Sequence, residues 1–324
     1  MKLGLIGLQG SGKTTVWQVL TGSTLSHPPE PNIAVVRIPD SRLDFLKTAF
    51  QPERITQAEI ELIDYPGFSK STLANLEVAD TLVYVIPFWG TFSEPGRAMN
   101  EVESELILRD LEICDARLKK LAKVKPTEEA HLLEHCKVVL EEDKPLRNIE
   151  VKPDEEKLLR GFGFLSQKPV ILVLNGEKDG PVEELAAQKN LPLITFNAKL
   201  ELEISELTPE EREEYEKEFG IGELPLERFI RTGHTGLGII TFYTVVGKEV
   251  RAWLLKKDSS AVQAAGKVHS DMERGFIKAQ VIGFKDFKTV GSLKEAKEKG
   301  LLRLVGKDHT VNDGDIIEFK FHVA

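Results

Sequence analysis

The chain of 324 residues is 41% hydrophobic with a formal net charge of −9, a composition typical of a globular protein of two or three domains. Its apolar runs fall short of the roughly 20 residues that span a bilayer, and its two cysteines, Cys114 and Cys136, cannot build a disulfide framework. We therefore expect a cytoplasmic protein without a membrane partner.

Strand and helix signals alternate in the first hundred residues. Apolar runs at 3–8, 33–38, 58–63 and 81–87 predict four strands, and a Gly-rich turn after the first run leads into a helix over 14–21. Strands that alternate with helices are typical of an α/β fold with a doubly wound, mainly parallel sheet.

An inserted pair of helices follows the fourth strand. One apolar seam lies on a single helix face, formed by Ile107, Leu111, Cys114, Leu118 and Leu121. Pro126 ends this helix, and Thr127 is a suitable N-cap for a second helix on which Leu132, Cys136 and Val139 continue the seam. The pattern predicts an antiparallel, coiled-coil-like helical hairpin.

The sheet pattern resumes with runs at 169–175 and 192–197, and Pro209 with the acidic residues behind it suits the start of a helix. Four short strands then indicate a separate small α+β domain: 242–246, 250–255, 276–281 and 315–323. The predicted bounds are 1–97 for the first part of the sheet domain, 98–150 for the hairpin, 151–238 for the second part, and 239–324 for the C-terminal domain.

Charge is distributed unevenly along the chain. Residues 248–324 contain 15 Lys and Arg against 11 Asp and Glu, a balance of +4, and the other residues carry −13. A mildly basic C-terminal domain is compatible with a nucleic-acid contact through His269, Arg274 and Lys278, or with an ordinary surface of mixed charge. Both interpretations remain open at this point.

The loop after the first strand carries the clearest chemical signal. Gly7 to Thr14 matches G-x-x-x-x-G-K-[ST], a pattern whose backbone N–H groups cradle a β-phosphate. Lys13 can reach the β- and γ-oxygens and the Thr14 hydroxyl can bind Mg²⁺, so these two are the predicted catalytic residues. The predicted nucleotide contacts of this loop are Gln9, Gly10, Ser11, Gly12, Lys13, Thr14 and Thr15.

Three later strand ends complete the predicted site. Asp64 opens a D-x-x-G pattern, in which the carboxylate serves the metal and the Gly67 N–H serves the γ-phosphate. Asn175 ends another strand where a base-reading loop belongs, followed by Glu177. Asn197 and Ala198 end the next strand and predict a further base contact.

The order of these elements resembles the Obg-related YchF group of P-loop NTPases. Several stretches add to the resemblance: 30–33, 38–43, 105–112, 249–253, 263–269 and 275–277. The resemblance implies that the C-terminal domain is a TGS domain, a ubiquitin-like β-grasp module. It also implies slow hydrolysis of a nucleotide, ATP in preference to GTP, and a ribosome or RNA partner for the hairpin and the TGS domain.

The sequence departs from the family pattern in its switches and its base-reading loop. Pro28 stands where the family has a Thr that reaches Mg²⁺, with Ser26 as a possible substitute, and Phe68 leads directly into a helix after Gly67. Lys178 occupies the position of the acidic residue that would read guanine. Discrimination in favour of guanine is therefore not expected, and adenine preference is what the resemblance implies. A nucleotide-dependent module that binds RNA or ribosomes without hydrolysis is the alternative.

Other motifs have ordinary explanations. His131, Glu134 and His135 match an inverted zinc-protease pattern, but they lie on the predicted hairpin without a third ligand segment, so a solvated helix face is favoured. The two cysteines suit packed thiols, and Trp17 suits the core, although its indole could border the nucleotide. A small-molecule kinase is disfavoured because no Arg-rich lid segment is evident.

Overall fold

The computed structural model describes residues 1–23, 25, 30–67, 69–89, 94–122, 127–176, 180–208, 210–211 and 224–322. The chain forms two compact units, one of residues 2–34 and 61–232, and one of Met1, 35–60 and 233–324. Residues 35–60 therefore group with the C-terminal residues. The domain bounds expected from the sequence place the same residues in the first part of the sheet domain. Most of the acidic helix predicted after Thr208 lies outside the described residues.

The strands are β1 (Lys2–Ile6), β2 (Asn32–Arg37), β3 (Arg54–Thr56), β4 (Glu59–Asp64), β5 (Thr81–Phe88), β6 (Val170–Gly176), β7 (Leu193–Phe196), β8 (Ile239–Val246), β9 (Glu249–Lys256), β10 (Phe276–Gly283), β11 (Arg303–Val305) and β12 (Asp315–Phe321). The helices are α1 (Lys13–Thr21), α2 (Ser41–Phe50), α3 (Lys70–Asn75), α4 (Pro95–Leu121), α5 (Glu128–Glu141), α6 (Pro153–Arg160), α7 (Gly180–Gln188), α8 (Ala198–Ser205), α9 (Pro225–Leu237), α10 (Ala261–Val268), α11 (Ser270–Arg274), α12 (Phe284–Val290) and α13 (Leu293–Glu298). Within the described ranges, no helix combines the length and the apolar character that crossing a bilayer requires.

A six-stranded, mainly parallel sheet in the order β2-β4-β1-β5-β6-β7 organises the first unit. Strand β1 pairs in parallel with β4 and β5, β5 pairs with β6, and β6 pairs with β7. Strand β6 is buried along its whole length, because helices cover both faces of such a sheet. The carboxyl ends of β1, β4, β5 and β6 therefore meet at one edge, where ligands bind in open α/β sheets. The predicted doubly wound fold is confirmed.

Helices α4 and α5 form the helical hairpin, and their core also takes in Leu146, Leu159 and Phe164 from the segments that follow α5. Thr127 caps α5 by accepting a hydrogen bond from the Ala130 N–H at 3.2 Å, as predicted from the sequence. The core of this pair includes Ile107, Cys114, Leu132, Cys136 and Leu140, all buried. The apolar seam read from the sequence is thus the surface along which the two helices pack.

The C-terminal residues form a mixed sheet in the order β11-β10-β12-β8-β9-β3. Strand β8 pairs antiparallel with β9 and parallel with β12, so the first and last strands of this region lie side by side in the centre. Helix α10 packs across the sheet through Ala261 and Ala264, which join Phe242 and Ile317 in one core. Central parallel strands crossed by one helix are the arrangement of a β-grasp module, as expected.

Residues 35–60 extend this second unit. Strand β3 pairs in parallel with β9 at the sheet edge. On α2, Phe50 stacks on Phe287 with ring centroids 4.9 Å apart, and Phe45 meets Phe284 edge-on at 5.6 Å. Apolar packing thus joins a segment near the N-terminus to the C-terminal sheet.

A polar cluster at the start of α2 adds to these contacts. Asp40 caps α2 and accepts hydrogen bonds from the Arg42 Nε at 3.0 Å and from the Tyr243 hydroxyl. Arg42 also donates from Nη1 to Asp313 at 2.7 Å. Burial acts to raise the pKa of Asp40, but the hydrogen bonds from Arg42 and Tyr243 outweigh it and lower that pKa. Asp40 therefore stays ionised and holds both donors.

Candidate nucleotide-binding site

The glycine-rich loop turns between the end of β1 and the start of α1. Gly10 and Gly12 have φ angles of 81° and 78°, in the left-handed region that glycine adopts without strain. A Cβ on Gly12 would lie 2.2 Å from Nδ2 of Asn175, and a Cβ on Gly7 would lie 2.5 Å from the carbonyl oxygen of Val85. Backbone conformation and close approach thus require the glycines of the motif.

Lys13, Thr14 and Asp64 meet behind this loop. The Thr14 hydroxyl donates to Oδ2 of Asp64 at 2.8 Å, and Nζ of Lys13 lies 4.0 Å from Oδ1 of the same carboxylate. Asp64 ends β4 and is 1% exposed, whereas the Lys13 side chain retains 10% exposure. Parallel pairing of β1 with β4 accounts for this meeting of residues fifty positions apart.

The Asp64 carboxylate fits a divalent cation. Its Oδ1 is buried and has no hydrogen-bond partner among the described residues. A buried carboxylate oxygen is costly unless it is paired. The Thr14 hydroxyl directs its hydrogen at Asp64, which leaves its lone pairs to accept a cation, and hard oxygen donors of this kind suit Mg²⁺.

The turn after β4 is held by α3. Gly67 has a φ of 73°, and a Cβ there would meet nothing within 4 Å, so the requirement for glycine is conformational. The Thr72 hydroxyl donates to the Pro66 carbonyl oxygen at 3.1 Å, and Ser69 caps α3. The turn that carries Gly67 is thus attached to the helix that follows it.

Asn175 joins the phosphate loop to the loop after β7. Its side chain, in a residue 3% exposed, donates from Nδ2 to the Ser11 carbonyl at 3.0 Å and accepts at Oδ1 from the Ala198 N–H at 2.9 Å. Asn197 caps α8 by accepting from the Leu200 N–H at 3.2 Å. The predicted base contacts of Asn175, Asn197 and Ala198 stay predictions, and the structure gives these groups bracing contacts within the protein.

Some of the other predicted site residues lie on the glycine-rich loop or in α1, and the rest lie outside the described residues. Gln9 is exposed on the loop, and Thr15 is half-buried in α1. Ser11 is 1% exposed, and its Oγ has no hydrogen-bond partner among the described residues. Glu177 and the switch positions Ser26, Pro28 and Phe68 lie outside the described residues.

Two further side chains border the site without having been predicted. The amide of Asn32 donates to Oδ2 of Asp64 at 3.0 Å, and Trp89, 41% exposed, places its ring 3.3 Å from the position of a Cβ on Gly12. The sequence offers one signal for the contact of Asn32 with Asp64, namely that Asn32 lies beside a switch segment at the start of a strand. Trp17 is a core residue, since it is 1% exposed and its Nε1 donates to a backbone carbonyl in β4.

The histidine motif of the hairpin and the two cysteines lie in the surroundings that the sequence favours for them. His131, Glu134 and His135 are exposed on α5, and no group of three potential metal ligands exists among the residues that the structure describes. Cys114 and Cys136 are fully buried and unpaired by any disulfide. Burial raises the pKa of Cys114 to about 12 and that of Cys136 to about 11, so both are packed thiols.

Comparisons with known proteins find relatives over almost the whole chain. The chain is 32% identical to "Ribosome-binding ATPase YchF" of Bacillus subtilis, and 34% identical to the protein of that name from Escherichia coli O157:H7, with 99% of both chains covered in each case. A solved structure, "Structure of the Schizosaccharomyces pombe YchF GTPase", is similar with a TM-score of 0.80 and 24% identity, covering 99% of this chain and 97% of that one. The family model YchF-GTPase_C, described as "Protein of unknown function (DUF933)", matches residues 239–322.

Proposed function

Because this chain belongs to the YchF family of P-loop NTPases, we propose that it binds ATP in preference to GTP, hydrolyses it slowly and associates with ribosomes in the cytoplasm. The observation that carries the proposal is the hydrogen bond from Thr14 to Asp64 beside the glycine-rich loop. It arranges the metal-binding oxygens before any nucleotide arrives, and such preorganisation lowers the free energy that binding costs.

Each group of the site has a chemical role in this proposal. Thr14 and Asp64 would hold Mg²⁺, which neutralises phosphate charge when it is bound. Lys13 stabilises the charge that develops on the β- and γ-oxygens, together with the N–H groups of the loop. No side chain among the described residues of the site is placed as a general base, and slow hydrolysis by electrostatic stabilisation alone accords with that.

The preference for adenine is supported by what surrounds the base-reading loop. A guanine reader needs a carboxylate to accept from N1–H and the exocyclic amine, and Lys178 occupies that position in the sequence. Trp89 offers an exposed aromatic face beside Gly12, and stacking on such a face accepts any base. Stacking therefore does not discriminate between the two nucleotides, and we propose that ATP is preferred because position 178 lacks the carboxylate that would favour GTP.

The ribosome association is supported by the charge of the C-terminal unit. Residues 285–307 carry seven Lys and Arg against three Asp and Glu, which equals the whole +4 balance of residues 248–324. These cations are all exposed on or beside α12, α13 and β11: Lys285, Lys288, Lys294, Lys297, Lys299, Arg303 and Lys307. A surface of this kind neutralises RNA phosphates. His269 and Arg274, also suggested by the sequence, make local contacts with Asp271, and their contact with RNA stays a prediction.

The test of nucleotide use is calorimetric titration of ATP and GTP with Mg²⁺, followed by single-turnover phosphate release. We expect micromolar ATP binding, weaker GTP binding and slow release. Lys13→Ala should lose binding, while Lys157→Ala, an exposed lysine on α6, should keep it. Tight binding without release would favour the alternative, a nucleotide-dependent binding module, which the proline at position 28 supports. Binding of neither nucleotide would overturn the proposal.

The test of the ribosome partner is co-sedimentation with ribosomes at two salt concentrations, with ATP, with ADP and without nucleotide. Replacing Lys288, Lys294 and Lys297 by Glu should weaken association at least tenfold and reduce its salt dependence, because fewer counterions are released. The matched control places Glu at Lys152, Lys157 and Arg160, three exposed cations at or in α6, outside both this cluster and the helical hairpin. Equal losses in both triple variants would show that the α12–α13 cluster is not the contact.

A further inference from the structure

Asn32 contacts the metal-binding carboxylate directly. It is the first residue of β2 and follows the segment that corresponds to the first switch. Its Nδ2 donates to Oδ2 of Asp64 at 3.0 Å, and that same oxygen accepts the Thr14 hydroxyl at 2.8 Å. The contact is shielded from water, since Asn32 is 9% exposed and Asp64 is 1% exposed.

Two donors on one oxygen fix the orientation of the whole carboxylate. With Oδ2 of Asp64 held by Asn32 and Thr14, the other oxygen, Oδ1, lies toward Lys13 and has no hydrogen-bond partner among the described residues. Oδ1 is thus the oxygen that would remain to serve a bound metal ion. A carboxylate with a single donor could rotate about χ2, a soft torsion for Asp, and lose this orientation.

We infer that Asn32 is a positioning residue, which orients Asp64 for Mg²⁺ and ties the start of β2 to the metal site. The inference rests on the proposed binding of a nucleotide with Mg²⁺. An amide suits the role because it donates to the carboxylate without adding charge, whereas a second carboxylate would repel Asp64. Groups that orient a metal ligand typically change metal affinity about 10- to 100-fold when they are removed.

The experiment compares nucleotide affinity with and without metal. A fluorescent ATP analogue is titrated onto the full chain in Mg²⁺ and in EDTA, and Mn²⁺ binding to the complex is followed by electron paramagnetic resonance. Asn32→Ala should weaken Mn²⁺ binding about 10- to 100-fold and leave the affinity in EDTA within about twofold. Asn148→Ala, an exposed amide on the turn Leu146–Asn148, is the matched control.

A double-mutant cycle with Asp64 separates positioning from a general loss of structure. In an Asp64→Asn background, Asn32→Ala should have no further effect on Mn²⁺ binding, because its action passes through the carboxylate. Equal losses with and without metal, or an undiminished loss in the Asp64→Asn background, would overturn the inference. Failure of the unsubstituted chain to bind nucleotide would instead overturn the proposed function.

Discussion

Replacing Asn175 by Ala should both destabilise the protein and weaken nucleotide binding. The substitution removes the amide that accepts from the Ala198 N–H at 2.9 Å and donates to the Ser11 carbonyl at 3.0 Å. Both backbone groups lie in buried surroundings. Each buried polar group left without a partner costs about 1–3 kcal/mol of unfolding free energy. Water that enters the small cavity would recover only part of this free energy.

The expected loss in unfolding free energy is about 2–4 kcal/mol, a large part of the roughly 5–15 kcal/mol that holds a typical domain folded. For a domain of this size, that loss lowers the melting temperature by roughly 5–15 °C. Scanning calorimetry of the nucleotide-free protein measures it. ATP affinity should fall at least tenfold, because Asn175 holds the loop that would cradle the phosphates.

The control for this prediction is Asn148→Ala, since Asn148 is exposed and a surface substitution changes stability by about 0.5 kcal/mol or less. A melting temperature of Asn175→Ala within one degree of the unsubstituted chain would refute the reasoning about buried partners. An unchanged ATP affinity in a destabilised variant would refute the claim that Asn175 supports the phosphate loop.

Three further predictions follow from other contacts. Gly12→Ala should abolish nucleotide binding, because its Cβ would lie 2.2 Å from the Asn175 side-chain amide. Its control is Gly22→Ala, where φ is 62° and a Cβ would meet nothing within 4 Å. This control should lose about 1 kcal/mol of unfolding free energy and bind nucleotide normally in the same titration. Arg42→Met should lower the unfolding free energy in urea by about 2 kcal/mol, since Asp40 would keep its charge without its partner; no change would contradict this. Burial lowers the pKa of His234 below its ordinary value of 6.5, so stability is full above pH 6.5 and falls as pH drops below it, and His234→Gln should flatten that part of the pH profile.

The sequence predicts the parts of this fold that depend on local pattern. Strands buried on both faces appear as continuous apolar runs, so β1, β5 and β6 are found within one or two residues of their bounds. The phosphate loop is predictable because its glycines are required by the local backbone conformation, with positive φ at Gly10 and Gly12. The same holds for the N-cap at Thr127, whose signal lies within four residues.

Contacts between distant segments escape this reasoning. Helix α2 and strand β3 have no signal of their own strong enough to place them with the C-terminal sheet, since Phe45 meets Phe284 across more than two hundred residues. Asn175 illustrates the limit within the site. Its position at the end of a strand is evident from the sequence, whereas its hydrogen bond to the Ser11 carbonyl depends on how the strands are ordered. Side-chain identity therefore indicates a candidate site, and topology determines which groups each side chain contacts there.

Two buried aspartates differ in how completely their oxygens are hydrogen-bonded within the chain. Asp110 is 0% exposed, and its oxygens accept the N–H groups of Leu165 and Ser166 at 3.0 and 2.7 Å, with Arg109 at 2.9 Å. Every acceptor there is engaged within the chain, so nothing is left for a ligand. Asp64 is equally buried, yet two side-chain donors share one oxygen while the other has no hydrogen-bond partner among the described residues. Because a buried carboxylate oxygen without a hydrogen bond costs free energy, an oxygen beside the phosphate loop whose ion-pair partner, Lys13, lies 4.0 Å away supports the proposal of a metal site at Asp64.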